Sequence, residues 1–268
     1  MKKLYLLPVA LFLTLVGCGT SSTKDNDPWG KLDAEEAAKQ AAVVEGSVKS
    51  NAMKRDMTYT AWLPKDYDKN KSYPFLYLLH GYEDNNQGAR HDRCWVDKGN
   101  ASKIAEDYQK TSGIAMVIIM PNGLDKFYMN DGYEEYFENE LMAEVEKKYN
   151  CNGKRAIAGL SMGGFGTLYH ALKYPQKFRY AYAMSPAADA SMAGFVDAQA
   201  DKSVFPAFTM EVGLQDYTVN NNTTKTLYNN LVKKGLTCEW VEREGTHDWA
   251  FWKVCLPKAL AKAGASFK

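Results

Sequence analysis

Seven short apolar runs alternate with longer stretches of helical periodicity, and this alternation restricts the fold more than any other feature of the chain. The runs are MTYTAWLP (57–64), YPFLYLLHG (73–81), IAMVIIMPNG (114–123), RAIAG (155–159), RYAYAMSP (179–186), FTMEVG (208–213) and TCEWVERE (237–244). YPFLYLLHG is apolar at almost every position, as a strand buried on both faces must be. MTYTAWLP alternates, with SVKSNAM before it as a possible hairpin partner, and TCEWVERE is polar enough for a sheet edge. Between the runs, YEEYFENELMAEVEKKY repeats Phe137, Leu141, Val145 and Tyr149 every four residues, which is one face of a helix. ASKIAEDYQKTSG, TTKTLYNNLVKKG and DWAFWKVCLPKALAKAG supply three more helices. Alternation of this kind implies a mainly parallel sheet with helices on both faces. Ligands of such sheets bind beyond the carboxyl ends of the strands. Those ends carry His80-Gly81, Asn122-Gly123, Ser161, Asp216 and His247.

One strand-to-helix junction reads Gly159-Leu160-Ser161-Met162-Gly163, a G-x-S-x-G between RAIAG and GGFGTLYHALKYP. That is the setting of a nucleophile elbow, where the serine sits on a strained turn and side chains two residues to either side would collide. The next helix would aim its N-terminal N–H groups at an oxyanion formed beside Ser161. A serine of this kind needs a base, and the chain has four histidines. His80 and His91 precede the serine, and His170 lies within the helix after it, in a structural role. His247, in the loop after the last strand, stands where the order Ser…Asp…His puts the base. Of the aspartates between, Asp189, Asp197 and Asp201 belong to a small-residue insert, and only Asp216 directly follows a strand. Asp248 adjoins the histidine and is poorly placed to accept its Nδ1–H. Ser161, Asp216 and His247 are therefore the expected triad. The backbone N–H groups of Met162 and Tyr82 are the expected oxyanion donors, with His80 bracing the loop that carries the second.

The N-terminus reads as a leader. Lys2 and Lys3 precede an apolar stretch, Leu4 to Val16, too short to span a bilayer comfortably. Leu15-Val16-Gly17-Cys18 resembles the lipobox of bacterial lipoproteins, which implies cleavage before Cys18 and a lipid on its sulfur. Gly19 in place of an aspartate then points to the outer membrane. The expected organisation is a signal peptide over 1–17, a lipidated Cys18 with a tether over 18–44, and one catalytic domain over 45–268. LDAEEAAKQAAVV within the tether could form a short helix or stay loose. The near balance of 33 basic and 32 acidic residues argues against nucleic acid as a partner. Cys94, Cys151, Cys238 and Cys255 show no C-x-x-C spacing, so no metal is expected, and their state, thiol or disulfide, stays open.

Over residues 45–260 the chain resembles the esterase D-type α/β-hydrolases, in particular carbohydrate esterase family 1, the feruloyl and acetylxylan esterases. The segments that carry the resemblance are YPFLYLLHGYEDN, VIIMPNG, AIAGLSMGGFGTLYHALKYPQKF, GLQDYT and GTHDWAFW. It implies a cofactor-free serine hydrolase acting on acyl groups attached to sugars, with Ser161, Asp216 and His247 as triad and Tyr82 and Met162 as oxyanion donors. Relatives include S-formylglutathione hydrolases, which the leader argues against, as well as siderophore esterases and mycolyltransferases. A carbohydrate-binding lipoprotein on a dead hydrolase scaffold is the non-catalytic alternative. The insert AADASMAGFVDAQADKSVFP (187–206) is too small for a lipase-type lid, so an open site suited to a polymer-borne ester is expected. Tyr128, Tyr133 and Trp249 are expected to line it. Trp252 reads better as helix-packing core, and Asp125 and Asp131 as solvated loop charges.

Overall fold

Strands apolar at every position need cover on both faces, and the fold supplies it. The computed structural model describes residues 41–83 and 89–268. Eight strands form one sheet: β1 (Ala42–Ser50), β2 (Arg55–Leu63), β3 (Tyr73–Leu79), β4 (Val117–Pro121), β5 (Cys151–Leu160), β6 (Tyr180–Met184), β7 (Ala207–Gly213) and β8 (Cys238–Arg243). Across the sheet the order is β1-β2-β4-β3-β5-β6-β7-β8. The β1–β2 and β2–β4 pairs are antiparallel, and every other pair is parallel. The longer helices are α1 (Ala101–Ser112), α2 (133–148, with a π-helical turn at Tyr136–Leu141), α3 (Met162–Lys173), α4 (Asn221–Lys233) and α5 (Trp249–Ser266).

The period of two along each strand sorts the core into two layers. Phe75, Tyr77 and Leu79 of β3 face Phe137, Leu141 and Val145 of α2, Leu168 and Leu172 of α3, and Leu227 and Leu231 of α4. Leu76 and Leu78 point the other way, into a layer with Ala101 and Ala105 of α1 and Phe251, Leu256 and Leu260 of α5. The polar strand β8 lies at the sheet edge, as its sequence suggests.

The expected boundary at residue 45 shifts. Ala42 to Ser50 pair in register with Leu63 to Arg55, so residues 42–44 belong to the sheet and not to a tether or a helix. SVKSNAM holds the expected hairpin partner of β2, and the strand begins earlier because its first residues, at a sheet edge with exposed outer positions, have the composition of a tether; within β1 only Val48 and Ser50 are buried. The leader, Cys18 and the rest of the tether lie outside the described residues.

Cys94, Cys151, Cys238 and Cys255 are all free thiols. Burial pushes the Cys94, Cys238 and Cys255 thiols up to about 12 and that of Cys151 up to about 11. Since the thiolate is the reactive form, native protein lacking Cys18 should react slowly with a thiol-specific disulfide reagent at neutral pH. All four should be titrated after denaturation without prior reduction. Fewer than four thiols in that titration would reveal a disulfide.

Candidate active site

β5 ends in a buried run, Ala156 to Leu160, and hands the chain to α3 through Ser161, whose backbone sits at φ 52°, ψ −114°. A side chain at φ > 0 is strained, and the surroundings hold this one in place. Ser161 N–H donates to Met184 O at 2.9 Å, and its carbonyl accepts from Phe165 N at 3.0 Å and Ala187 N at 3.1 Å. The flanking glycines are steric necessities. A Cβ on Gly159 would lie 2.4 Å from Gly163 O, and one on Gly163 would lie 2.4 Å from Leu79 O and 2.5 Å from His80 O.

The structure brings the three expected side chains together. His247 Nε2 lies 2.9 Å from Ser161 Oγ, and its Nδ1 lies 2.7 Å from Asp216 Oδ2. The Asp216 carboxylate is fully buried, and the imidazole is 12% exposed. The other carboxylate oxygen, Oδ1, accepts from Thr218 N at 3.0 Å. With its Nδ1–H engaged by Asp216, the imidazole presents Nε2 as an acceptor to the serine hydroxyl.

The loops that carry the acid and the base are tied to each other. Leu214 N donates to Arg243 O (2.9 Å) and Gln215 N to Gly245 O (3.1 Å), while Gly245 N donates to Gln215 Oε1 (2.8 Å). Asn221 Nδ2 donates to Gly213 O at 3.0 Å, tying α4 to the end of β7. Below them Glu211, fully buried, accepts from Arg243 Nε at 2.5 Å and Lys258 Nζ at 2.8 Å. Burial raises this carboxyl, but the Lys258, Tyr182 and Arg243 hydrogen bonds outweigh it and hold the group below the usual range. Gln215 and Asn221 escape sequence reasoning because no spacing rule marks a side chain that only joins two loops.

On the other side of Ser161, the end of β3 is fastened by its carbonyls. Trp95 Nε1 donates to Leu79 O at 3.0 Å and Tyr128 Oη to His80 O at 3.0 Å. A Cβ on Gly81 would meet Leu160 Cδ1 at 2.6 Å and sit 3.4 Å from Ser161 Cβ, so this loop runs directly beside the serine. Tyr82 follows, and Glu83 N is held by Asp125 Oδ1 at 2.9 Å. Met162 opens α3, so its N–H has no carbonyl partner within the helix.

His80 braces this loop as a neutral ring. Its Nδ1–H donates to Gly81 O at 2.6 Å and its Nε2 accepts from Gly123 N at 2.7 Å. Burial is the main cause that lowers its pKa to about 4. Between pH 6.5 and 4 the unfolded chain protonates this residue and the folded chain does not, so stability falls as pH drops through that window. Asp92 titrates lower: burial raises its carboxyl, but the bonds from Arg90 and Thr60 hold it below the usual range. Its contribution is lost only at more acidic pH. Thermal melts from neutral pH downward should show Tm declining already above pH 4; a Tm flat to pH 4 would contradict this.

Two expected cleft residues are misplaced. Tyr128 and Tyr133 are fully buried and line no surface. Their hydroxyls donate inward, to His80 O and, at 2.9 Å, to Asn122 O. The cause is a backbone reversal: Leu124, Asp125, Phe127, Tyr128 and Asp131 all have positive φ, which turns the segment back into the core. Trp249 is half-buried at the start of α5, edge-on to Trp95 and Trp252, each at 5.3 Å. It packs against both rings and keeps part of its surface exposed. Trp252 is buried, as its spacing suggests, and meets the His247 ring edge-on at 5.0 Å. His170 is wholly structural, its Nε2–H donating to Tyr128 O at 2.9 Å. Asp131 pairs with Lys126 at 2.7 Å.

Comparison with known proteins places this geometry. Residues 50–208 match the Esterase family. An acetyl esterase of Caldicellulosiruptor saccharolyticus is 26% identical over 82% of this chain and 97% of its own. An endo-1,4-beta-xylanase/feruloyl esterase of Xylanibacter ruminicola is 27% identical over 75% of this chain, which spans 28% of that longer protein. Among solved structures, a ferulic acid esterase superposes with a TM-score of 0.72 at 28% identity, covering 85% of this chain and 99% of its own. The chain belongs to the Esterase family and is a serine carboxylesterase with the α/β-hydrolase fold, of the feruloyl and acetylxylan esterase type.

Proposed function

We propose that this protein is an exported esterase that removes acyl groups, feruloyl first and acetyl second, from plant cell-wall polysaccharide. The observation that carries the mechanism is the imidazole bridge, 2.9 Å to Ser161 Oγ and 2.7 Å to Asp216, at the elbow between β5 and α3. The feruloyl and acetyl esterases among its relatives support the substrate class. The lipobox-like Leu15–Cys18 supports export and anchoring at the outer membrane through a lipid on Cys18.

Ser161 Oγ attacks the ester carbonyl while His247 Nε2 takes its proton. Asp216 holds the ring and stabilises the imidazolium. The oxyanion is received by the N–H groups of Met162 and Tyr82, and the imidazolium passes its proton to the departing sugar oxygen. Water activated by His247 then hydrolyses the acyl-enzyme and frees the acid. No cofactor takes part in this scheme.

The test follows release of ferulate from feruloylated arabinoxylan and of acetate from acetylated xylan, with Ser161→Ala as control. Ferulate lost in the variant supports the first assignment. Acetate alone makes the protein a deacetylase. Cleavage of a simple aryl acetate with neither polymer attacked removes the plant-polymer assignment and favours a small-ester hydrolase.

A further inference from the structure

Among the described residues most aromatic side chains are buried or partly buried; Tyr59, Tyr77, Tyr128, Tyr133, Tyr136 and Tyr182 are among the largest fully buried groups. Two tyrosines break the pattern. Tyr82 is 51% exposed and Tyr217 is 89% exposed, and they are the aromatic members of the exposed large apolar side chains among the described residues. Both lie at the carboxyl end of the sheet, Tyr82 after β3 and Tyr217 after β7. Ser161 follows β5, which the strand order puts between them. Three strand spacings separate β3 from β7, about 14 Å at ordinary inter-strand distance, which is the reach of a short run of sugar rings.

The Tyr217 end of this span is a built cleft. Leu214 and residues 216–222 line an open surface hollow of about 470 Å³ that includes Asp216, the partner of His247. Its lining mixes Leu214, half exposed, and Tyr217 with Thr218 and Asn222. Among the described residues, the side chains of Tyr217, Thr218 and Asn222 make no hydrogen bond. An aromatic ring with a free face beside uncommitted hydroxyl and amide groups matches a pyranose ring, which has apolar C–H faces and an equatorial belt of hydroxyls. A lipid or aromatic acyl group would call for a drier, more apolar lining.

We infer that the Tyr217 cleft is a glycan subsite that holds the sugar chain on the alcohol side of the scissile ester, with Tyr217 as its stacking platform. This deepens the esterase assignment and rests on it for the polysaccharide class. The subsite selects polymer-borne esters over small ones by binding sugar units beyond the acylated one.

The test measures binding of a non-esterified arabinoxylo-oligosaccharide to the Ser161→Ala protein, so that no chemistry is needed. Adding Tyr217→Ala should weaken binding about tenfold, the size of one aromatic contact. Tyr217→Phe should keep it, and Asn222→Ala should weaken it severalfold. In the protein with Ser161 intact, Tyr217→Ala should lower the ratio of kcat/KM for a feruloylated oligosaccharide to that for an aryl acetate by a similar factor, through KM. Equal binding by the Tyr217→Ala and parent proteins overturns the subsite. If the polymer is not cleaved yet the oligosaccharide binds through Tyr217, the substrate assignment fails and the subsite stands. If the polymer is cleaved while Tyr217→Ala changes neither binding nor the ratio, the assignment stands and the subsite falls.

Discussion

Replacing Asp216 with asparagine should lower kcat by about four orders of magnitude without unfolding the protein. Asparagine is the same size and its carbonyl can keep the Thr218 N–H bond that the carboxylate now accepts at 3.0 Å. Its amide group, facing His247 Nδ1 at 2.7 Å, would be a donor where the ring nitrogen also donates. The ring escapes this clash by changing tautomer, so that Nδ1 accepts and Nε2 carries the proton. Nε2 then offers a hydrogen to Ser161 Oγ and cannot take one away. Far-UV circular dichroism and Tm should match the parent while hydrolysis of an aryl acetate collapses. A loss smaller than a hundredfold would mean that Asp216 does not set the tautomer.

A second large effect is expected at Gly163, by a different route. A methyl group there would press on two backbone carbonyls, Leu79 O at 2.4 Å and His80 O at 2.5 Å, and backbone cannot step aside as a long side chain can. Either α3 or the end of β3 must move. Overpacking of this kind costs about 1–3 kcal/mol and more where backbone blocks relaxation. The same two elements carry Met162 and Tyr82, so Gly163→Ala should cut activity at least a hundredfold as well as lower Tm. Gly194→Ala is the control: nothing lies within 4 Å of a Cβ there and its φ of −65° suits any residue. That variant should fold and hydrolyse as the parent does, and should be no less stable. Parent-like activity in Gly163→Ala would contradict the close approach of α3 to β3.

The contrast between these two glycines shows what could be read from the sequence. Gly163 was marked by its place in G-x-S-x-G, a motif with a mechanical reason for each glycine, and the structure supplies the colliding atoms. The central apolar runs were equally legible, because a strand covered on both faces must be apolar throughout, while MTYTAWLP was legible from its alternation and TCEWVERE from its edge-strand polarity. Ser161, Asp216 and His247 stood out because each ends a strand or begins the loop after one, and the structure brings them within hydrogen-bonding distance. The burial of Tyr128 and Tyr133 is not legible in the sequence because it depends on five positive-φ residues between 124 and 131, and only glycine announces that backbone reliably. The start of β1 is illegible for another reason: an edge strand with a solvated face carries the composition of a linker. Tyr217 gave no sign at all. Exposure is a property of the assembled surface, and a tyrosine after an aspartate in GLQDYT reads the same whether it points in or out.

The account as a whole turns on Ser161 being the acyl-accepting oxygen, and reaction with a fluorophosphonate tests that most directly. The protein lacking Cys18 should take up one equivalent, with mass spectrometry placing the adduct on the peptide that contains Ser161. His247→Ala should slow the reaction by orders of magnitude, since no base then receives the hydroxyl proton. Ser161→Ala should abolish both the adduct and ester hydrolysis. An adduct on a different residue, or hydrolysis that survives in Ser161→Ala, would show that the elbow between β5 and α3 is not the seat of the chemistry.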